Sequence, residues 1–123
     1  MVDVEAIKRR IEAKCTRRRA LLSEKRKGLI ALLKRRLPEI MEQFPSVMRL
    51  FVFGLMVSPV FFNELSDVDI AVQGLDYRDE LKFSIYLENI LQTEKIDLIM
   101  MEYADKKLIE KINNGILIYE KKL

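Results

Sequence analysis

Apolar positions in the first third of the chain recur at helical spacing, and clusters of basic residues fall between them. Residues 4–37 contain no helix breaker except Gly28, whose cost in a helix interior is about 1 kcal/mol. The apolar residues that form this pattern are Ile7, Ile11, Leu21, Leu22, Leu29, Leu32 and Leu33. The pattern predicts one long helix, or two helices joined near Gly28. Pro38 then either kinks the long helix or begins a short helix over residues 38–43.

The remainder of the chain alternates short runs of β-forming residues with amphipathic segments. The predicted strands cover residues 48–53, 67–73, 95–101 and 116–119. The predicted helices cover residues 79–91 and 105–114, and the second has Asp105 as its cap and Gly115 after its end. This alternation predicts the α/β (α+β) class, with a small mixed sheet of three to four strands flanked by helices.

Charge is divided unevenly along the 123 residues, although the net charge is only +3. Residues 1–37 contain thirteen Lys or Arg and four Asp or Glu, which gives +9. Residues 38–123 contain nine and fifteen, which gives −6. We therefore expect a basic helical N-terminal arm, residues 1–37, attached to an acidic domain, residues 38–123. The arm has several open interpretations: a solvated helix face, a surface for an acidic or helical protein, an RNA contact, or a homo-oligomer interface.

Composition excludes several kinds of site. The chain contains no histidine, so Ser-His-Asp triads and histidine-based zinc sites are excluded. Cys15 is the single cysteine, which excludes an intrachain disulfide and makes a reducing, cytoplasmic location the expectation. No apolar run approaches the roughly 18 residues of a membrane span, so we expect no membrane partner. Any chemistry must therefore use carboxylates, lysines, hydroxyls or a bound metal.

Asp67 and Asp69 lie two residues apart in the second predicted strand. Side chains two apart in a strand point to the same face, so the two carboxylates would project side by side. Like charges at this spacing repel unless a cation lies between them, and Mg²⁺ binds carboxylate and phosphate oxygens together. The pair is therefore a candidate metal and nucleotide site. A solvated acidic pair at the start of an edge strand would show the same spacing.

Two further residues change this interpretation. The first predicted strand ends at Gly54, where a glycine either allows a ligand to approach the backbone or simply terminates the strand. Asp97 is an isolated acid among apolar residues of the third strand, and an unpaired buried carboxylate costs several kcal/mol. If the third strand lies beside the second, Asp97 would complete a carboxylate triad. Two metal ions there could clamp an in-line phosphoryl displacement.

Three separate segments together resemble a known family. Phe53-Gly54, residues 66–72 and residues 95–98 are similar to the motifs of the minimal nucleotidyltransferases (MNT) of the DNA polymerase β superfamily. Residues 112–120 are similar to the end of these small domains, so the resemblance covers about residues 38–123. It implies a nucleotidyltransferase-like fold that transfers AMP from ATP, or a nucleotidyl group from another NTP, to an acceptor hydroxyl.

The resemblance also implies roles for individual residues. Asp67, Asp69 and Asp97 would be the catalytic carboxylates and the ligands of two Mg²⁺ ions, with Asp97 as a candidate base toward the acceptor hydroxyl. Gly54 would bind the nucleotide, and Ser58 or Ser66 would replace the serine that follows this glycine in the family. The chain departs from the family here because Leu55 follows Gly54, and residues 56–65 contain no Arg, Lys or Gly.

Two functions follow from the resemblance. The first is an Mg²⁺-dependent nucleotidyltransferase that transfers AMP to a protein hydroxyl, as the antitoxin partner of a HEPN-type toxin. The second is a catalytically degenerate nucleotidyltransferase fold that acts as a protein- or RNA-binding module, which the departure at Leu55 favours.

Overall fold

The computed structural model describes residues 2–54, 68–92 and 96–122. The α-helices within these ranges are α1 (Val4–Arg35), α2 (Leu37–Gln43), α3 (Glu80–Leu91) and α4 (Lys106–Asn113). The strands are β1 (Arg49–Phe53), β2 (Val68–Gln73), β3 (Ile96–Met100) and β4 (Ile116–Glu120). Across the described part of the chain, no helix is both long enough and apolar enough to span a membrane.

The strands of the described residues form one mixed sheet in the order β3-β2-β1-β4. β1 pairs antiparallel with β2 and with β4, whereas β2 and β3 pair in parallel. A parallel pair needs a crossover connection, and α3 lies between β2 and β3 in the chain. The predicted α/β (α+β) class, with a small mixed sheet flanked by helices, is confirmed.

α1 is one continuous helix of 32 residues, about 48 Å long at a rise of 1.5 Å per residue. Asp3 caps its N-terminus by accepting a hydrogen bond from the Ala6 N–H at 3.2 Å. Gly28 lies inside the helix, so the single long helix is the observed one of the two predicted arrangements. α2 follows directly, with Pro38 in its first turn, where a missing N–H costs no helical hydrogen bond.

The main core lies between one face of the sheet and a layer formed by α2, α3 and the last turns of α1. Alternate strand residues point into this core, as the twofold period of a strand requires. Its most deeply buried members are Leu33, Ile40, Val47, Leu50, Val52, Ile70, Val72, Phe83 and Leu87. Because Leu33 is only 1% exposed, the last turns of α1 form part of this core. The boundary between basic arm and domain at residue 37 stays a prediction.

The opposite face of the sheet carries a smaller core under α4. Its buried members are Phe51, Phe53, Ala71, Met101 and Ile112, of which Ile112 comes from α4. Asp105 begins this helix by accepting the Leu108 N–H at 2.8 Å, as its predicted capping role requires. α4 therefore covers part of the face onto which Phe51 and Phe53 point.

Gly115 connects α4 to β4 and lies against the end of β1. A Cβ at this position would be 2.5 Å from the Val52 carbonyl oxygen and 2.7 Å from the Phe53 Cβ. Both atoms belong to the backbone or its first side-chain carbon, so neither can rotate away. The absence of a side chain at Gly115 therefore allows β4 to pair closely with β1.

Gly115→Ala should destabilise the fold by about 1–3 kcal/mol, the usual cost of inserting a methyl group into a packed region. Gly28→Ala is the matched control because a Cβ at Gly28 has no neighbour within 4 Å. In a helix interior this control should increase stability by about 0.5–1 kcal/mol. Urea denaturation of both variants measures the difference, and equal stability changes of the two would contradict the steric role of Gly115.

Candidate active site

A row of three residues crosses the sheet at the end where β1 stops and β2 and β3 begin. Phe53 pairs with Asp69 between β1 and β2, and Asp69 pairs with Asp97 between β2 and β3. Paired residues on neighbouring strands point to the same face, and the strands lie about 4.8 Å apart. The carboxylates of Asp69 and Asp97 therefore project side by side, with Asp69 half-buried and Asp97 exposed.

The hydrophobic pattern of β2 determines which face carries these carboxylates. Val68, Ile70 and Val72 are buried in the main core, so Asp69 between them points to the opposite face. A shift of one residue in register would bury Asp69 in the main core and expose the three aliphatic side chains. Because burying an unpaired carboxylate is costly, the alternation fixes both the strand register and the position of Asp69.

Gly54 lies in direct contact with the Asp69 side chain. Its φ angle is +68°, in the left-handed region that favours glycine, and a Cβ there would overlap with Oδ2 of the Asp69 carboxylate. The sequence indicated either nucleotide approach or strand termination at this glycine. The structure adds a third reason for a glycine here, which the sequence did not predict: a side chain at this position would force the Asp69 carboxylate to move.

Several predicted site residues lie outside the described ranges. Asp67, Ser58 and Ser66 belong to residues 55–67, as does Leu55. In the ranges 2–54, 68–92 and 96–122, no group of three Asp, Glu, Cys or His side chains is placed to hold a metal ion. The structure therefore brings together two of the three predicted carboxylates, and the triad stays a prediction.

Arg49 and Gln73 lie on the same face of the sheet, at the opposite end of the strands. The guanidinium of Arg49 hydrogen-bonds to the Gln73 side chain and lies 5.7 Å from the centre of the Phe51 ring. This basic residue of β1 is thus held four residues away from Phe53 and the carboxylate row. Sequence analysis did not single out this pair.

The donor set of the carboxylate row fits Mg²⁺. Two carboxylates on neighbouring strands supply hard oxygen ligands, and the exposure of Asp97 leaves space for water and substrate oxygens. Mg²⁺ commonly binds through one or two carboxylates together with substrate phosphates and water. The arrangement can therefore hold a metal–nucleotide complex at the edge of the sheet.

Comparison with protein families identifies this architecture. Residues 35–123 match the family described as Polymerase beta, Nucleotidyltransferase. The chain belongs to the polymerase beta nucleotidyltransferase family. The match extends from the end of α1 to the last residue, and it includes Gly54, Asp69 and Asp97. The predicted membership of the DNA polymerase β superfamily is confirmed.

Solved structures share the fold of this chain. A chain in the complex of a tri-AMPylated Shewanella oneidensis HEPN toxin with MNT antitoxin aligns with 75% of this chain and 73% of its own length, at a TM-score of 0.54 and 20% identity. A chain of a toxin-antitoxin structure with AMP-PNP aligns with 72% of this chain and 74% of its own length, at a TM-score of 0.59 and 19% identity. A protein named as a minimal nucleotidyltransferase aligns with 80% of this chain and 93% of its own length, at a TM-score of 0.51 and 22% identity.

At these identities the structural similarity establishes the nucleotidyltransferase fold alone. No curated protein sequence matches the chain. The predicted nucleotidyltransferase-like fold is thereby confirmed.

Gly54→Ala should displace the Asp69 carboxylate and weaken binding of a divalent cation to the carboxylate row. The left-handed φ angle adds a stability cost of about 1–2 kcal/mol. Gly74→Ala is the matched control because Gly74 also has a positive φ, +92°, but lies against Ser46 and Met48 at the other end of β2. Calorimetric titration with Mn²⁺ measures the effect, and unchanged Mn²⁺ affinity of Gly54→Ala would contradict the role assigned to this glycine.

Proposed function

We propose that the chain is an Mg²⁺-dependent nucleotidyltransferase that transfers AMP from ATP, or a nucleotidyl group from another NTP, to a protein hydroxyl. The observation that carries the proposal is the pairing of Asp69 with Asp97 on neighbouring parallel strands. Membership of the polymerase beta nucleotidyltransferase family supports the same chemistry. The similarity of the fold to a structure with bound AMP-PNP supports an NTP as the substrate.

Asp69 and Asp97 would hold two Mg²⁺ ions together with Asp67. When bound, these ions supply positive charge that neutralises the triphosphate and the charge developing on its oxygens. Gly54 would approach the nucleotide, and the hydroxyls of Ser58 and Ser66 would donate hydrogen bonds to phosphate oxygens. These roles follow from the resemblance to the family together with the described position of the two carboxylates.

Asp97 would also act on the acceptor because it is the exposed member of the row. Its carboxylate accepts the proton as the acceptor oxygen forms a bond to the α-phosphorus. The bond between the α-phosphorus and the oxygen that bridges to the β-phosphorus breaks, and pyrophosphate leaves with the electron pair. A general base must lie within hydrogen-bond reach of the hydroxyl, and the exposure of Asp97 gives an acceptor access to its carboxylate.

The acceptor is proposed to be a HEPN-type toxin, which would make this chain an antitoxin. Structures with the same fold include complexes of HEPN toxins with MNT antitoxins, and one contains a tri-AMPylated HEPN toxin. In this proposal, AMP added to a toxin hydroxyl introduces a bulky negatively charged group that alters the toxin's surface.

A second candidate function is a binding module without catalysis. It is favoured by Leu55, which stands where the family has the serine after the motif glycine, and by the lack of Lys, Arg and Gly in residues 56–65. A site that keeps its carboxylates but loses these phosphate contacts would bind partner proteins or RNA without transferring AMP.

The test uses ATP labelled at the α-phosphate, the purified full chain, Mg²⁺ and a HEPN-type toxin protein as acceptor. Asp69→Asn combined with Asp97→Asn should reduce label transfer at least about 100-fold, because the metal ligands lose their charge. Asp79→Asn is the matched control: Asp79 carries the same charge and its side chain makes no cap hydrogen bond at the start of α3. This control should transfer label normally.

The two functions give different results in this assay. Transfer that depends on Asp69 and Asp97 supports the enzyme. If the wild-type chain neither transfers label nor binds ATP with Mg²⁺ or Mn²⁺, the enzyme is rejected. Toxin binding that survives the double substitution, in the absence of transfer, favours the binding module.

A further inference from the structure

The part of α1 that precedes the core carries an exposed row of aliphatic side chains. We call residues 4–28 the projecting segment. Val4 is 70% exposed and Ile11 is 56% exposed, and Ile7 between them is also exposed. At 3.6 residues per turn these three side chains lie within about 60° of one another around the helix axis. They therefore form one apolar row rather than scattered surface residues.

This row has the same angular position as a face of α1 that is buried further along the helix, and Lys25 lies between the two at a similar angle. Leu29 and Leu33 lie at the same angular position as Val4 and Ile11, within about 40°. Leu33 is buried in the main core and Leu29 packs against it. This face of the helix is thus covered by the chain itself at its C-terminal turns and carries exposed aliphatic side chains at its N-terminal turns. Three neighbouring exposed aliphatic side chains indicate an interaction surface, because contiguous apolar surface costs solubility and usually marks contacts.

The projecting segment is strongly basic. It contains ten Lys or Arg and three Glu, a net charge of +7. A shallow groove beside the apolar row is lined by Ile7, Arg10, Ile11 and Lys14. Lys8 and Lys14 lie on the two sides of the row, at about 60° from Ile11. The surface therefore combines an aliphatic row with a basic rim.

The projecting segment extends past the end of the sheet that carries Asp69 and Asp97. Leu29 and Leu33 line a small gap together with Val52, Val68 and Leu91. Val52 immediately precedes Phe53 of the carboxylate row, and Val68 immediately precedes Asp69. α1 therefore joins the core at the end of the sheet where the site lies.

The direction of α1 follows from the contacts beyond this point. After α1 ends, α2 leads to Phe44, whose ring centre is 4.9 Å from that of Phe83, two turns before Leu91 in α3. α1 thus runs from the Leu91 end of α3 toward its Phe83 end, away from the site. Its earlier residues extend in the opposite direction, and the 25 residues of the projecting segment are about 37 Å long.

The charge and the apolar row of the projecting segment together indicate which kind of partner binds it. A second projecting segment is disfavoured because two helices of net charge +7 would repel. A nucleic acid would neutralise the charge but leave the aliphatic row in water, and residues 1–43 contain no aromatic side chain for base stacking. An amphipathic protein helix with an acidic rim would bury the row and pair with the flanking lysines.

We propose that the projecting segment docks an acidic amphipathic helix of the protein acceptor and holds that acceptor beyond the site end of the sheet. This assignment rests on the proposed nucleotidyl transfer, because it names the class of acceptor for the same site. It makes the basic segment a specificity element that lies outside the carboxylate row.

The probe for this surface is a synthetic helical peptide with a leucine row flanked by glutamates, titrated into the full chain by fluorescence anisotropy. Ile7→Glu with Ile11→Glu interrupts the apolar row, and Lys8→Glu with Lys14→Glu reverses the charge of the basic rim. Each should weaken peptide binding at least tenfold. Lys82→Glu with Lys107→Glu is the matched control. It makes the same change of charge as the rim variant, but on exposed residues of α3 and α4. This control should bind the peptide like the wild type.

Binding should weaken as salt rises, because exposed charge pairs are screened beyond about 10 Å at 0.1 M ionic strength. Circular dichroism of every variant confirms that the helix is retained. Equal binding of a scrambled peptide would overturn the proposal. So would tighter binding of a 20-nucleotide RNA than of the peptide, or a dimer in sedimentation that both projecting-segment variants dissociate.

ATP binding separates this proposal from the proposed function. All three double variants should bind ATP with Mg²⁺ like the wild type, because none of the substituted residues belongs to the carboxylate row. If the wild-type chain binds the peptide but not ATP, the docking surface stands and the nucleotidyl transfer fails. If it binds ATP but not the peptide, only the docking surface fails.

Discussion

The in-register pairing of β2 with β3 is the constraint on which the rest of the site depends. It places the carboxylates of Asp69 and Asp97 on adjacent strands and on the same face of the sheet, where the two like charges repel. Burying one valine or isoleucine side chain stabilises a fold by about 1.5–3 kcal/mol. Val68, Ile70 and Val72 are all buried on the other face of β2, so their burial outweighs the repulsion.

The two faces of the sheet consequently have different functions. The face under α2 and α3 supplies most of the buried apolar surface and holds the strands in register. The face under α4 has a small core of its own and exposes Asp97 at the edge of the sheet. Gly54 contributes to both the sheet and the site, since it follows the last residue of β1 and leaves room for the Asp69 carboxylate. A repulsive pair of charges is thus held by packing on the opposite face, and a cation at the pair would relieve the repulsion.

α1 joins this site to a basic surface through one uninterrupted helix. Its last turns are part of the main core, which fixes the direction of all the turns before them. Because a continuous helix transmits that direction without a hinge, the charge of residues 4–28 lies at the same end of the molecule as the carboxylate row. The carboxylate row and the basic segment therefore lie at the same end of the sheet, although the carboxylates project from the face under α4 and α1 packs on the opposite face.

Short-range signals in the sequence were sufficient for much of the architecture. Asp105 and Gly115 delimited α4, Pro38 marked the start of α2 to within one residue, and alternating apolar residues located β2. The residue types of the candidate site, Asp69 and Asp97 with Gly54, were also predictable, because D-x-D spacing in a strand and an isolated acid are local patterns. Asp67, Ser58 and Ser66 stay predictions from the resemblance alone.

The sequence by itself determined the α/β class, the order of the elements, the uneven charge and the family. Only the tertiary structure decided that α1 continues through Gly28 into the main core, that β2 and β3 pair in parallel with Asp69 opposite Asp97, and that Gly54 contacts Asp69. The physical reason is the range of the forces involved. Capping, helix propensity and strand alternation act between residues a few positions apart and are therefore visible in the sequence. Strand partners and contacts across the sheet depend on which arrangement buries the most apolar surface of the whole chain.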